Sequence, residues 1–239
     1  MVYGGVLIVI DGPAGAGKST VARRLAAYYG LPVLDTGAIY RALALVARER
    51  GVAWNDEAGL AALTTDFPIR FVAGAGDGAA QRVEFAGQDI SEAIRTPEIS
   101  DGASQVSALP AVRRGLLGIQ RSLGATGCVA EGRDLGTVVF PDAPFKFFLT
   151  ADDRVRAARR QLDLTPRAEQ GGSAPAEAVA PALEQVLRDL RGRDERDQTR
   201  AAAPLVKAAD AVPIDSTGLS ADEVVQAIVA VVGPRSVAG

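Results

Sequence analysis

The sequence predicts an α/β fold, a parallel β-sheet flanked by helices, and three observations predict it. Residues 6–10, VLIVI, form a short continuous apolar run of the kind a strand buried on both faces requires, and a glycine-rich turn and a helical pattern follow at once. Further short apolar runs at 32–35, 128–131, 145–149 and 212–215 alternate with helical patterns, as in βα units laid over one sheet. Between about residues 66 and 91 the period changes to two, which predicts a small β insertion instead of another βα unit.

Taken in order, Val21, Leu25 and Tyr28 recur at helical spacing, so a helix opens at the glycine turn and ends near Gly30. PVLD (32–35) is the second strand, and Ile39, Leu43 and Val46 mark one face of the helix after it. In the insertion, FPIRFVAG (67–74) and RVEFAGQDI (82–90) alternate around a turn, GAGDGAA. Pro97 and Pro110 stand at first-turn positions of two helices, the second carrying the stripe Val112, Leu116, Ile119 and Leu123. CVAE (128–131) and FKFFL (145–149) are core strands. An Arg-rich stretch from Asp152 contains EQGGSAPAEAVAPA (169–182), whose Gly, Ala and Pro content predicts mobility. Val179, Leu183, Val186 and Leu190 start another helix, and VPID (212–215) is the last strand. Ser220 and Glu223 form a capping box, with Leu219 and Val224 as its staple, at the start of a C-terminal helix.

Composition narrows the chemistry. A chain of 239 residues with 48 % hydrophobic content supports one sizeable core, and a net charge of −3 argues against general affinity for nucleic acid or anionic membrane. The opening MVYGG carries no basic segment ahead of a long apolar run, and no stretch approaches the ~20 residues of a membrane span, so a cytoplasmic location is expected. Cys128 is the only cysteine, which excludes an intramolecular disulfide and a Cys-cluster zinc site. Histidine is absent, so no step can rest on imidazole. Of the 26 basic residues only Lys18, Lys146 and Lys207 are lysine; codon bias explains this, or a need for bidentate phosphate binding does.

Position decides. Gly12 to Ser19, GPAGAGKS, fit the phosphate-loop pattern G-x-x-x-x-G-K-[ST] completely, between a strand and a helix as the motif requires. The loop Gly12, Pro13, Ala14, Gly15, Ala16, Gly17, with Lys18, Ser19 and Thr20, is the expected ATP site of a phosphate-loop NTPase core. Backbone N–H groups cradle the phosphates, Lys18 spans the β- and γ-phosphates, and the Ser19 hydroxyl ligates Mg²⁺. In DTGAIYR (35–41) a strand end and a helix start bring Arg41 near the sheet's carboxyl edge, where ligands of open α/β sheets sit; a surface Arg on a capped helix is the plainer alternative. EGRDLG (131–136) points Arg133 and Asp134 into the same crevice, as a structural pair or, for Asp134, as acceptor for an exocyclic amine. RDERDQTR (193–200) puts Arg193, Asp197 and Arg200 on one helix face, exposed and salt-bridged unless the apolar APLV that follows packs its end onto the core. Ten Arg fall between Arg154 and Arg200, beside the mobile-looking piece, which fits a flap that brings Arg onto transferring phosphates. A phosphate acceptor is already an anionic nucleophile, so a phosphate loop, many Arg and no His fit transfer to a phosphate, although an Asp base for an alcohol is not excluded.

GPAGAGKST, LDTGAIYRALAL, IRTPEIS, ASQVSALPAVR, GRDLGTVVFPDA and RDERDQTRAAAPL, in this order, resemble bacterial cytidylate kinases over nearly the whole chain. The resemblance implies that MgATP and CMP or dCMP give ADP and CDP or dCDP, in a monomer. It implies that Thr36, Arg113 and Asp134 meet cytosine, that Arg41, Arg133 and Arg200 hold the acceptor phosphate, and that Ser104, Arg193 and Asp197 face the sugar. Arg154, Arg156, Arg159 and Arg160 fall where the family's lid begins, and Arg160 is the candidate to join Lys18, Arg133 and Arg200 in catalysis. The implied division is core 1–35, nucleoside-monophosphate region 36–110, core 111–151, helical lid 152–185 and core 186–239. Two positions depart from the family: Ala14, where a Ser that can touch the acceptor phosphate is frequent, and Thr36, where Ser is usual. The missing hydroxyl at 14 is worth ~1 kcal/mol. The alternatives are a kinase for another small acceptor, such as another nucleoside monophosphate or a shikimate-like alcohol, and a nucleotide switch without acceptor chemistry.

Overall fold

The computed structural model describes residues 5–72, 81–164 and 182–235. Five strands, β1 (Leu7–Asp11), β2 (Val33–Asp35), β6 (Cys128–Gly132), β7 (Phe145–Thr150) and β8 (Val212–Asp215), form a parallel sheet in the order β2-β6-β1-β7-β8. A separate antiparallel sheet is built from β3 (Ile69–Val72), β4 (Arg82–Phe85) and β5 (Gln88–Asp89). The helices are α1 (Lys18–Tyr29), α2 (Thr36–Glu49), α3 (Glu57–Leu63), α4 (Pro97–Ser107), α5 (Pro110–Leu123), α6 (Asp153–Leu164), α7 (Leu183–Thr199) and α8 (Ala221–Val232).

Apolar side chains dominate the central strands because both faces of the sheet are covered. In β1, Leu7 and Val9 enter one core with α2, α4 and α5, while Ile8 and Ile10 enter another with α1 and α8. Register then brings strand ends together: Asp11 lies opposite Gly132, and Asp35 opposite Glu131. The phosphate loop, the start of α2 and the segment after β6 therefore leave the same carboxyl edge.

Local signals held where they were chemical. Pro97 and Pro110 open α4 and α5, and the reciprocal Ser220–Glu223 box opens α8. Two readings need correction. The run 82–90 is not one strand, because Ala86 and Gly87, both at positive φ, turn it into the β4–β5 hairpin. The pattern also missed α3, a short helix capped by the Asp56 carboxylate, which accepts from Gly59 N–H at 3.0 Å. The GAGDGAA turn, Val179 and all but the last residue of 169–182 lie outside the described residues.

α2 and α4 pack closely because Gly102 has no side chain: a Cβ there would lie 2.5 Å from Trp54 Cζ2. The Trp54 indole is itself tied to α2, donating to Ala44 O at 3.0 Å. Gly102→Ala should destabilise the protein by about 1–3 kcal/mol through overpacking. A urea midpoint equal to the parent's, followed by Trp54 fluorescence, would show that α4 can shift freely.

Candidate active site

A cavity of about 420 Å³ opens at this carboxyl edge, lined from the phosphate loop, α2, α4, the segment after β6, α6 and α7. At one end the loop turns tightly over the sheet. Gly12 runs at φ +149°, and a Cβ there would meet Leu149 O at 2.0 Å, so only glycine lets β7 pass beneath the loop. Lys18 is buried and donates from Nζ to Pro13 O at 2.7 Å, while the exposed Ser19 donates from Oγ to Glu131 Oε2 at 2.8 Å. Burial, then the nearby Arg133, pushes the Lys18 pKa down to about 7. Burial lifts Glu131 to about 6, helped by Asp35.

Below the loop Asp11, 4 % exposed, accepts from Leu135 N–H at 2.9 Å and Gly136 N–H at 2.7 Å. Those donors open a single π-helical turn, Leu135–Val139, in which Phe140 N–H reaches back to Leu135 O at 2.7 Å. The turn sets the direction of Arg133 and Asp134 just before it. Burial raises the Asp11 pKa to about 6 against the two N–H bonds, which lower it.

The rest of the cavity is a chain of guanidinium–carboxylate contacts. Asp35 caps α2 through Ala38 N–H and accepts from Arg41 Nη2 at 2.7 Å. Arg113 donates to Asp134 Oδ2 and, at 3.1 Å, to Ser107 O, and its guanidinium lies 5.3 Å from the centre of the Tyr40 ring. Arg200 reaches Asp134 Oδ1 at 3.5 Å and Asp197 Oδ1 at 3.6 Å, and Arg133 Nε donates to Asp197 Oδ2 at 3.0 Å. Among the described residues two buried donors, Arg41 Nε and Arg193 Nε, have no partner. Arg193 is crowded as well: burial, then Arg133, lowers its pKa to about 10.

The cytidylate kinase family model matches residues 8–233. The chain belongs to the cytidylate kinase family. It is 47 % identical over 234 residues to the cytidylate kinase of Pseudomonas fluorescens (strain Pf0-1), covering 98 % of this chain and 97 % of that one. To the cytidylate kinase of Syntrophotalea carbinolica (strain DSM 2380 / NBRC 103641 / GraBd1) it is 46 % identical over 231 residues, covering 96 % and 93 %.

For a cytidylate kinase, most of the residues singled out from sequence come together here. Ala14, Gly15, Gly17, Lys18, Ser19, Thr20, Thr36, Arg41, Arg113, Arg133, Asp134, Arg160, Arg193, Asp197 and Arg200 all line the cavity. Gly12, Pro13 and Ala16 shape the loop without lining it. Ser104 does not line it either; its buried hydroxyl accepts from Arg196 Nε at 3.1 Å, while Ser100, Ala103 and Ser107 of the same helix form the wall. Arg154 is exposed beside Glu184, off the cavity. Ala14 packs with Ala157, Val186, Leu187 and Leu190, so its methyl group serves a small core at the cavity's edge. Sequence reasoning gave no role to Glu131 or Tyr40, and named Arg159 only as one of the four lid arginines; all three line the cavity. Glu131 carried a signal, since it closes the predicted strand CVAE beside strands that end in Asp11 and Asp35; Tyr40 carried none beyond adjacency to Arg41.

The raised pKa values fix a sign. A carboxyl that binds its proton more tightly when folded adds stability in full below about pH 4 and loses it as pH rises through about 6. Asp11 and Glu131 both act in that window. Glu131→Gln removes one of them, so the fall in urea midpoint from about pH 5 to about pH 7 should be smaller than in the parent. An unchanged slope would show Glu131 ionised throughout.

Proposed function

We infer that this cytidylate kinase transfers the γ-phosphoryl group of ATP to CMP or dCMP in this cavity, by alignment and charge neutralisation and with no protein base. The observation that carries the mechanism is the pair of buried donors on Arg41 and Arg193 that have no partner among the described residues. Both are lining residues, and an anionic acceptor supplies what they lack. Lys18 and the loop N–H groups hold the donor phosphates; Arg41, Arg133, Arg193 and Arg200 hold the acceptor phosphate, with Arg160 entering from the lid side. The acceptor oxygen is anionic before transfer, so proton removal is unnecessary. That suits a site whose carboxylates at Asp35, Asp134 and Asp197 are all engaged by guanidinium groups.

Base selection follows from hydrogen-bond polarity. Thr36 spends its one hydroxyl hydrogen on Glu131 O at 2.8 Å, so only its lone pairs remain for a ligand. Asp134 is also an acceptor. Two acceptors favour an exocyclic amine over a carbonyl, hence cytosine over uracil. The donor set suits Mg²⁺: one exposed hydroxyl, Ser19, with the Glu131 carboxylate behind it. Among the described residues no group of three or more acidic or sulfur ligands forms a cage, and Mg²⁺ typically relies on one or two protein ligands plus substrate phosphates. Bound there, the ion would neutralise charge on the donor phosphates. The surroundings divide as core 1–35, 111–151 and 186–239, acceptor region 36–110 and lid 152–185. Among the described residues no helix is long and apolar enough to cross a membrane.

Two measurements test this. In an acceptor panel scored by kcat/KM with MgATP, CMP and dCMP should exceed UMP, AMP, GMP and shikimate; a better acceptor among the last four would sink the reading. Asp134→Ala should cost CMP about 10- to 100-fold in kcat/KM, the loss of a charged hydrogen bond, and cost UMP much less. Equal losses would make Asp134 a structural partner of Arg113 and Arg200.

A further inference from the structure

Arg156 is the one arginine at the start of α6 that is buried away from the cavity, at 4 % exposure. Every nitrogen of its guanidinium is engaged. Nη1 donates to Ala14 O at 3.0 Å and to Asp194 Oδ2 at 2.6 Å, Nη2 to Asp153 Oδ1 at 2.5 Å, and Nε to Ala151 O at 3.1 Å. It thus touches the phosphate loop, its own helix α6 and helix α7 at once. The contact is close: a Cβ on Gly15 would lie 2.8 Å from Arg156 O and 3.0 Å from its Cβ. Ala14, Ala157, Val186, Leu187 and Leu190, from the same three elements, form one apolar cluster.

Each of the three bodies carries a part of the site. The loop carries Lys18. One turn beyond Arg156 on α6 are Arg159 and Arg160, and next to Asp194 on α7 is Arg193. Arg159 makes a second tie, donating to Ser216 O at 2.8 Å and Ser216 Oγ at 3.0 Å, and that hydroxyl in turn donates to Ala16 O at 3.1 Å.

We propose that Arg156 is a positioning residue for phosphoryl transfer: by holding Ala14 O and Asp194 together, it fixes the arginines of α6 and α7 relative to the phosphate loop. It touches neither substrate. Its planar fork can serve two acceptors on different elements at set angles, which a lysine ammonium on a flexible stem cannot. The inference rests on the reading of the loop as the donor-phosphate site.

Arg156→Lys keeps the charge and removes the fork. The expected result is a loss of about 10- to 100-fold in kcat, as for a misalignment of about 1 Å, with KM for CMP and ATP nearly unchanged. A misaligned acceptor also lets water compete, so ADP formed per CDP formed should rise above the parent's ratio. Asp194→Asn, which keeps an acceptor for Arg156, should shift both readouts the same way by less. Activities are scaled to folded protein, measured by circular dichroism and thermal midpoint. If kcat per folded molecule stays within about twofold and the ADP:CDP ratio is unchanged, Arg156 is only a structural residue and the proposal fails. Lys18→Ala is run in parallel. Retained transfer in that variant would overturn the donor-site reading, whereas loss of transfer there with normal Arg156→Lys kinetics would overturn only the positioning role.

Discussion

The site depends first on the carboxylate of Asp11. It ends the central strand β1, and its two oxygens take the first two N–H groups of the turn that follows β6. One side chain thereby ties the strand that launches the phosphate loop to the turn that aims Arg133 and Asp134. Without those bonds two backbone donors would be buried unpaired, each at a cost of about 1–3 kcal/mol. The arrangement includes the π-helical turn. The backbone offers two successive N–H groups to one carboxylate and then closes an i→i+5 loop, with Phe140 N–H bonded to Leu135 O.

The second constraint is the crowding of like charge. Lys18, Arg41, Arg113, Arg133, Arg160, Arg193 and Arg200 share one cavity. Burial and mutual repulsion depress Lys18 and Arg193, and the fold offsets this with Asp35, Glu131, Asp134 and Asp197. Each carboxylate is shared or braced: Asp134 lies between Arg113 and Arg200, Asp197 between Arg133 and Arg200. This pairing holds long side chains in set geometries and leaves selected N–H groups for a ligand. Arginine suits such a lattice better than lysine because its fork can serve a carboxylate and a phosphate at once. The arginine bias of the chain as a whole still admits codon preference, since Arg23, Arg24 and Arg50 are exposed and do not line the cavity.

What could be read from sequence was whatever chemistry writes locally. The glycine loop, the two N1 prolines, the Ser220–Glu223 box and the apolar strand runs each satisfy a nearby backbone need, so spacing alone reveals them. The hairpin within 82–90 was missed because alternation continues across it, and Ala86 at positive φ is a residue that seldom marks a turn. Long-range pairings were illegible for a different reason. The bond from Asp11 to the turn spans 124 residues, that from Ser19 to Glu131 spans 112, and that from Arg156 to Ala14 spans 142. No local pattern encodes them. Motif order supplied the family, but it did not separate Ser104, held by Arg196, from the helix neighbours that line the cavity.

The buried cations of the cavity bear on its selectivity. Arg41 Nε and Arg193 Nε are buried without acceptors among the described residues, and burial pushes the Lys18 pKa down to about 7. A neutral ligand, or one whose anion sits elsewhere, leaves those groups unmet and gains nothing from them. On the proposed reading, a nucleotide pair with both phosphate groups in place would meet them together. The donors are already oriented by Asp35, Asp134 and Asp197, so little reorganisation remains when charge shifts between the phosphates. On the proposed reading, preorganisation of this kind is also what lets the chain dispense with histidine: the reaction would need its arginines held still at the right spacing, and the protein spends its buried carboxylates on that task.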